Sequence, residues 1–155
     1  MQEQGWQMPK WWYRKSKPKS DNVYFENMSH VIFQAGLNWQ VTEKKWPGIK
    51  DAFCNFDINE VADFTDADVA RLVKDERIIR NKGKIRALIR NAQTFQAIQG
   101  QYGSFQRYLD SIDKADNYSK VVKTLINNFK WLGPSSASTF LFSVGEDINV
   151  WEHEH

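Results

Sequence analysis

At 155 residues, 41% hydrophobic and 14% aromatic, the chain has the size and composition of one globular domain with a real core. No apolar run is long enough to cross a membrane and Met1–Trp6 is too polar for a signal peptide, so the expectation is a cytoplasmic protein. The net charge of +2 permits nucleic-acid binding only where cations cluster, and the single cysteine, Cys54, excludes an internal disulfide or a multi-cysteine metal site.

Residues 1–20 read as an N-terminal arm, and 21–155 as one helical domain. In the arm, Trp6, Trp11, Trp12 and Tyr13 are interleaved with Lys10, Arg14, Lys15, Lys17 and Lys19. Cations that meet phosphates and rings that stack on bases suit nucleic acid; rings that pin the arm to the domain are the alternative. Asp21 is expected to cap a helix over Asn22–Ala35, with Tyr24, Phe25, Met28, Val31, Ile32 and Ala35 on its apolar face and Gly36 ending it. A second helix begins near Val41, and Pro47-Gly48 is expected to break it. Cys54 is expected to be a small buried apolar residue.

Asp57-x-x-Glu60 and Thr65-x-x-Asp68 have the pattern of capped helix starts. A long helix carries Ile85, Leu88, Ile89, Ala92, Phe95 and Ile98, with Lys84, Arg86 and Arg90 placed off the stripe. Gly100–Gly103 reads as a loop, and Ser104 as the cap of a helix with Phe105, Tyr108, Leu109 and Ile112. No strand alternation persists, so the fold class is all-α, an irregular helical bundle.

Two apolar helices flank Trp131-Leu132-Gly133-Pro134-Ser135-Ser136. Val121, Val122, Leu125, Ile126 and Phe129 precede this turn; Ala137, Phe140, Leu141 and Val144 follow it, with Gly145 as the stop. The second helix starts at Ser135 or Ser136, and its unpaired N–H groups form a site for a phosphate. An ordinary helix–turn–helix corner is the alternative.

Three blocks make the chain resemble the 3-methyladenine DNA glycosylase I family of the helix-hairpin-helix superfamily. Phe25-Glu26 through Gln34-Ala35-Gly36-Leu37-Asn38-Trp39 resembles the family's QAGLSW stretch. Asp68-Val69 through Ile78-Ile79-Arg80-Asn81-Lys82-Gly83-Lys84-Ile85 and Asn91-Ala92 is similar to its IIR-x-x-GKI-x-x-x-I-x-NA block, and Leu132-Gly133 with Ser136-Ala137 and Phe140 matches its hairpin. The resemblance implies an enzyme that flips an alkylated purine, 3-methyladenine foremost, out of double-stranded DNA and hydrolyses its N-glycosidic bond. It implies Trp39 as the stacking ring, Gln34 and Asn38 beside it, and Tyr13 as an arm contribution to the pocket. Gly133, Ser135 and Ser136 would face one phosphate; Lys82, Gly83 and Lys84 would supply a second backbone contact. For Trp39 a core tryptophan, and for Lys82 and Lys84 a solvated face, are the alternatives. A monomer without cofactor or metal is expected.

The chain departs from the family at two places. Val31 stands where the family has its base-reading glutamate, and valine cannot accept a hydrogen bond. His30 is a turn of about a hundred degrees away, and Glu26 does not share the position either. The family's zinc ligands are missing: Gln4 replaces a cysteine and no histidine precedes His30. Trp151–His155 reads as an exposed tail despite His153 and His155, and Asp147 as a helix-end acid. These departures leave two other readings: a DNA-binding module without chemistry, or a glycosylase for another lesion.

Overall fold

The computed structural model describes residues 9–13 and 16–150. Trp6, Gln4, Arg14, Lys15 and the tail with His153 and His155 lie outside the described residues. Eight α-helices and no strand occur among those described: α1 (Asp21–Gln34), α2 (Trp39–Ala52), α3 (Ile58–Ala62), α4 (Asp66–Leu72), α5 (Lys82–Tyr102), α6 (Phe105–Asp110), α7 (Ala115–Asn128) and α8 (Pro134–Ser143). The chain is all-α, as its periodicity predicts.

Helix α1 runs through the centre and packs on α2, α5, α6 and α8. Its burial therefore extends beyond the predicted stripe to Asn27, Ser29 and His30. The core is aromatic: Phe95 packs on Phe25, Phe105 and Phe129, and Phe105 on Phe140. Each such ring contributes about 1.5–3 kcal/mol by burial.

The caps at Asp57, Thr65 and Ser104 form as their sequences predict, Thr65 with a full capping box. Four local expectations are corrected. Ser20, not Asp21, caps α1; the Asp21 carboxylate instead accepts from the Phe105 N–H at 3.1 Å and from Gln99 at 2.9 Å, joining α1 to α5 and α6. Helix α2 continues through Pro47-Gly48, because the packing of Trp46 and the buried Ile49 outweighs the lost hydrogen bond. Gly48 serves close approach: a Cβ there would lie 2.8 Å from Arg77 Cβ. Helix α5 runs on through Gly100 to Tyr102, whose ring packs on Tyr108, and stops only at Gly103. Cys54 is half-buried in the 3-10 turn Cys54–Phe56, because its neighbours Phe53 and Phe56 take the buried places.

The described part of the arm lies on the end of α8. The Tyr13 N–H donates to the Ser143 carbonyl at 2.5 Å, Trp12 meets Phe142 edge to face, and Asn27 donates to the Trp11 carbonyl at 3.2 Å. Gly145, at φ +86°, admits this contact, since a Cβ there would meet the Tyr13 carbonyl at 2.7 Å.

A buried ion-pair network lies beside it. Glu146 is 1% exposed, and its carboxylate accepts from Lys17 at 2.5 Å, Lys114 at 3.2 Å and the Tyr118 hydroxyl at 3.0 Å. Burial alone would raise its pKa, but the two ammonium groups outweigh burial and hold it below the usual carboxylate range. A depressed folded-state pKa contributes stability above the ordinary carboxylate value, and the contribution is lost as pH falls through the lower folded value. The Tm difference between wild type and Glu146→Gln is therefore expected to be larger at neutral pH than in acid. A difference that does not shrink in acid contradicts this.

Candidate nucleic-acid interface and base cavity

Three turns that are distant in sequence meet at one end of the bundle. Gln34–Trp39 joins α1 to α2, Asn81–Lys84 starts α5, and Phe129–Ser136 is the hairpin between α7 and α8. Helix α5 holds them together. Asn91, 1% exposed, clamps the hairpin backbone: its side-chain amide donates to the Lys130 carbonyl at 3.1 Å, and its oxygen accepts the Lys130 N–H at 2.7 Å. Gly83 lies under the Trp131 ring, where a Cβ would come within 2.7 Å of it.

The hairpin's second helix starts one residue earlier than expected. Pro134 is its first residue and Gly133 its cap, with no capping side chain. Proline has no N–H to lose there. Ala137 begins the helical ladder by donating to Gly133 at 2.9 Å. The Ser135 and Ser136 N–H groups lie at the positive end of a ten-residue helix, the geometry that binds a phosphate oxygen.

Two cavities open here. A broad one of about 620 Å³ lies along Ile126–Gly133 with Ala35 on its far side. A smaller one of about 150 Å³ lies between α1 and α8, lined by Trp11, Val31, Gln34, Ala35, Ser135, Ser136 and Thr139. No ionisable side chain among the described residues lines the smaller cavity.

Trp11 is its aromatic wall, and a ring stack supports it. The His30 ring is sandwiched between Trp11 and Trp46, 3.8 Å from each and nearly parallel to both. His30 Nε2 lies 2.5 Å from Glu43 Oε2, and Trp46 donates to Glu26 at 3.0 Å. Burial pushes the His30 pKa down to about 3, so the imidazole is neutral and Nε2–H donates to Glu43. His30 thus braces the wall from behind and is not a proton donor to the cavity.

Gln34, Ser135 and Ser136 come together at the smaller cavity. Trp39 does not line either cavity: it is 58% exposed in the first turn of α2. Asn38 is the cap of α2 and accepts the Gln40 N–H at 2.8 Å, so its side chain is used locally. Tyr13 is half-buried and away from the lining, with Trp11 in the place expected of it. Lys82 is exposed beside Gly83. Lys84 is 5% exposed, and its ammonium donates to the Phe33 and Ala35 carbonyls at 3.1 and 2.8 Å. It faces the protein, not solvent, because a four-residue spacing puts it on the face of Leu88.

Trp11 and Asn91 are the residues that sequence reasoning missed. Trp11 stood among the arm's aromatics with no register to choose it, whereas Asn91, seven residues after Lys84 and four before Phe95, carried a legible signal: a polar residue on a buried face. Among the described residues no group of three His, Cys, Asp or Glu side chains is arranged to hold a metal; Gln4, His153 and His155 lie outside them.

Residues 10–145 match the methyladenine glycosylase family. DNA-3-methyladenine glycosylase 1 of Escherichia coli (strain K12) is 45% identical over 79 residues, half of this chain but only 42% of that protein. DNA-3-methyladenine glycosylase of Haemophilus influenzae (strain ATCC 51907 / DSM 11121 / KW20 / Rd) is 26% identical over 148 residues, covering 83% of this chain and 80% of that one. The fold superposes on 3-methyladenine DNA glycosylase I from Staphylococcus aureus with a TM-score of 0.74 and 26% identity, over 86% of this chain and 80% of that one. The hairpin, the central α1 and the α5 block all fall inside the matched span, and the chain belongs to the methyladenine glycosylase family.

Proposed function

We propose that the chain is a base-excision repair glycosylase that flips an alkylated purine, 3-methyladenine foremost, out of duplex DNA and hydrolyses its N-glycosidic bond. The observation that carries this reading is the small cavity walled by Trp11 and Gln34, with the phosphate seat of α8 at its edge. A flipped nucleotide needs both at once: a slot for a flat base and an anion seat for its backbone. Extrusion costs a few kcal/mol, least for a damaged base. Leu37, 41% exposed at the tip of the α1–α2 turn, is the apolar side chain placed to fill the gap in the duplex.

The chemistry asks little of the lining. A purine alkylated at N3 is cationic, and breaking the C1′–N9 bond returns the electron pair to it. A neutral base leaves, and water adds to C1′, giving up its proton to solvent. A leaving group that already carries the positive charge needs no general acid, in keeping with a lining of neutral side chains. The Trp11 face favours a cation by about 0.5–2 kcal/mol. No helix among the described residues is long and apolar enough to cross a membrane. We place the protein in the cytoplasm, acting as a monomer.

The test is base release from methylated duplex DNA, with the free purines separated. Release of 3-methyladenine supports the proposal. DNA binding without release of any base supports the alternative of a binding module, which the absence of a carboxylate at Val31 favours. Release of a different purine identifies another lesion.

A further inference from the structure

We propose that Lys84 is a positioning residue for base excision: its buried ammonium holds the α1–α2 turn and thereby sets the base cavity relative to the phosphate-binding hairpin. This rests on the glycosylase reading above.

The two carbonyls that Lys84 holds, Phe33 and Ala35, lie at the C-terminal end of α1. That end carries partial negative charge and carbonyls without helical partners. Helix α1 has no basic residue in its own last turn. A lysine entering from α5 supplies both the donors and the opposite charge. Burial lowers its pKa, so the ammonium is kept there against a desolvation cost that an apolar side chain would not incur.

The contact connects the two halves of the site. Ala35, whose carbonyl it grips, lines both cavities. The Lys84 N–H donates to Asn81 Oδ1 at 3.0 Å, which fixes the residue in the first turn of α5. Its neighbour Gly83 carries the hairpin's Trp131 ring. The first turn of α5 therefore touches the hairpin on one side and the cavity turn on the other. A flipped base and its own phosphate are joined by one deoxyribose, so the cavity and the phosphate seat must keep one separation. Misplacement by about 1 Å is enough to lower a rate a hundredfold.

The experiment compares the full-length wild type with Lys84→Met in three measurements: single-turnover base release from methylated duplex, binding to undamaged duplex as a function of salt, and Tm. Lys84→Met is expected to release base about a hundredfold more slowly, with undamaged-duplex affinity and salt slope unchanged. Lys84→Arg, which keeps the cation and its donors, is expected to recover part of the rate. A salt slope smaller by about 0.9 means that Lys84 contacts a phosphate, and overturns the proposal. A lowered Tm with wild-type release at low temperature means a purely structural role, and also overturns it. Should Lys84→Met not fold, Lys84→Gln carries the same comparison with the same outcomes. A wild type that releases no base overturns the glycosylase reading; a wild type that releases base at the rate of Lys84→Met overturns only the role of Lys84.

Discussion

Trp11→Ala is expected to lower base release from methylated duplex DNA by about tenfold to a hundredfold, since stacking on an aromatic ring contributes about 1–3 kcal/mol per base. Affinity for undamaged duplex is expected to stay within about threefold, because phosphate contacts dominate that affinity and Trp11 is an uncharged ring in the cavity lining. The effect has two sources. The substitution removes the one aromatic side chain among the described residues of the cavity lining, and it uncovers the His30 ring that stacks on Trp11 at 3.8 Å. Trp39→Ala separates this prediction from the sequence-based one. Trp39 is 58% exposed and does not line the cavity, so its removal is expected to weaken DNA binding and excision together. If Trp39→Ala abolishes excision at full affinity while Trp11→Ala leaves it intact, the assignment of the base-stacking ring is wrong.

Asn91→Leu is expected to lower stability by about 2–4 kcal/mol and Tm by roughly 5–15 °C, and to weaken DNA binding in proportion to the disorder it introduces at the hairpin. Leucine has the same number of side-chain heavy atoms as asparagine and the same branching, but it is larger and cannot pair with the Lys130 N–H or carbonyl. Two backbone groups beside a buried position then lose their partners, where each unsatisfied group costs about 1–3 kcal/mol. Asn91→Asp keeps the acceptor for the Lys130 N–H and loses the donor, and is expected to fall between. Thermal unfolding and duplex binding of the two variants check this. A stable Asn91→Leu protein with wild-type affinity would show that the hairpin keeps its place without the clamp.

Much of the architecture was legible along the chain. The stripe Ile85, Leu88, Ile89, Ala92, Phe95 marks α5, and Thr65-x-x-Asp68 marks the start of α4, because both signals are local: one is a period, the other a pair of hydrogen bonds within a single turn. Pro47-Gly48 misled because a helix-breaking preference of a few kcal/mol is outweighed by packing that the sequence does not display. Gly100 misled for a similar reason, with Tyr102 packed on Tyr108 carrying the helix past it. Lys84 was set off the apolar stripe because charge marks a solvated residue, yet its spacing to Leu88 places it inside. A lysine becomes a core residue only when carbonyls from another helix meet its ammonium, and those carbonyls lie 49 and 51 positions away in the chain.

The sequence by itself determined the helical class, the helix starts at Asp57, Thr65 and Ser104, the hairpin turn at Gly133, and the motifs that carry the family resemblance. These depend on contacts within a few residues, where spacing and side-chain type are enough. Only the tertiary structure decided that Trp11, rather than Trp39 or Tyr13, walls the cavity, that His30 and Glu43 stand behind it, and that Lys84 faces inward. Each of these depends on the packing of residues far apart in the chain, whose rotation and distance no local pattern records.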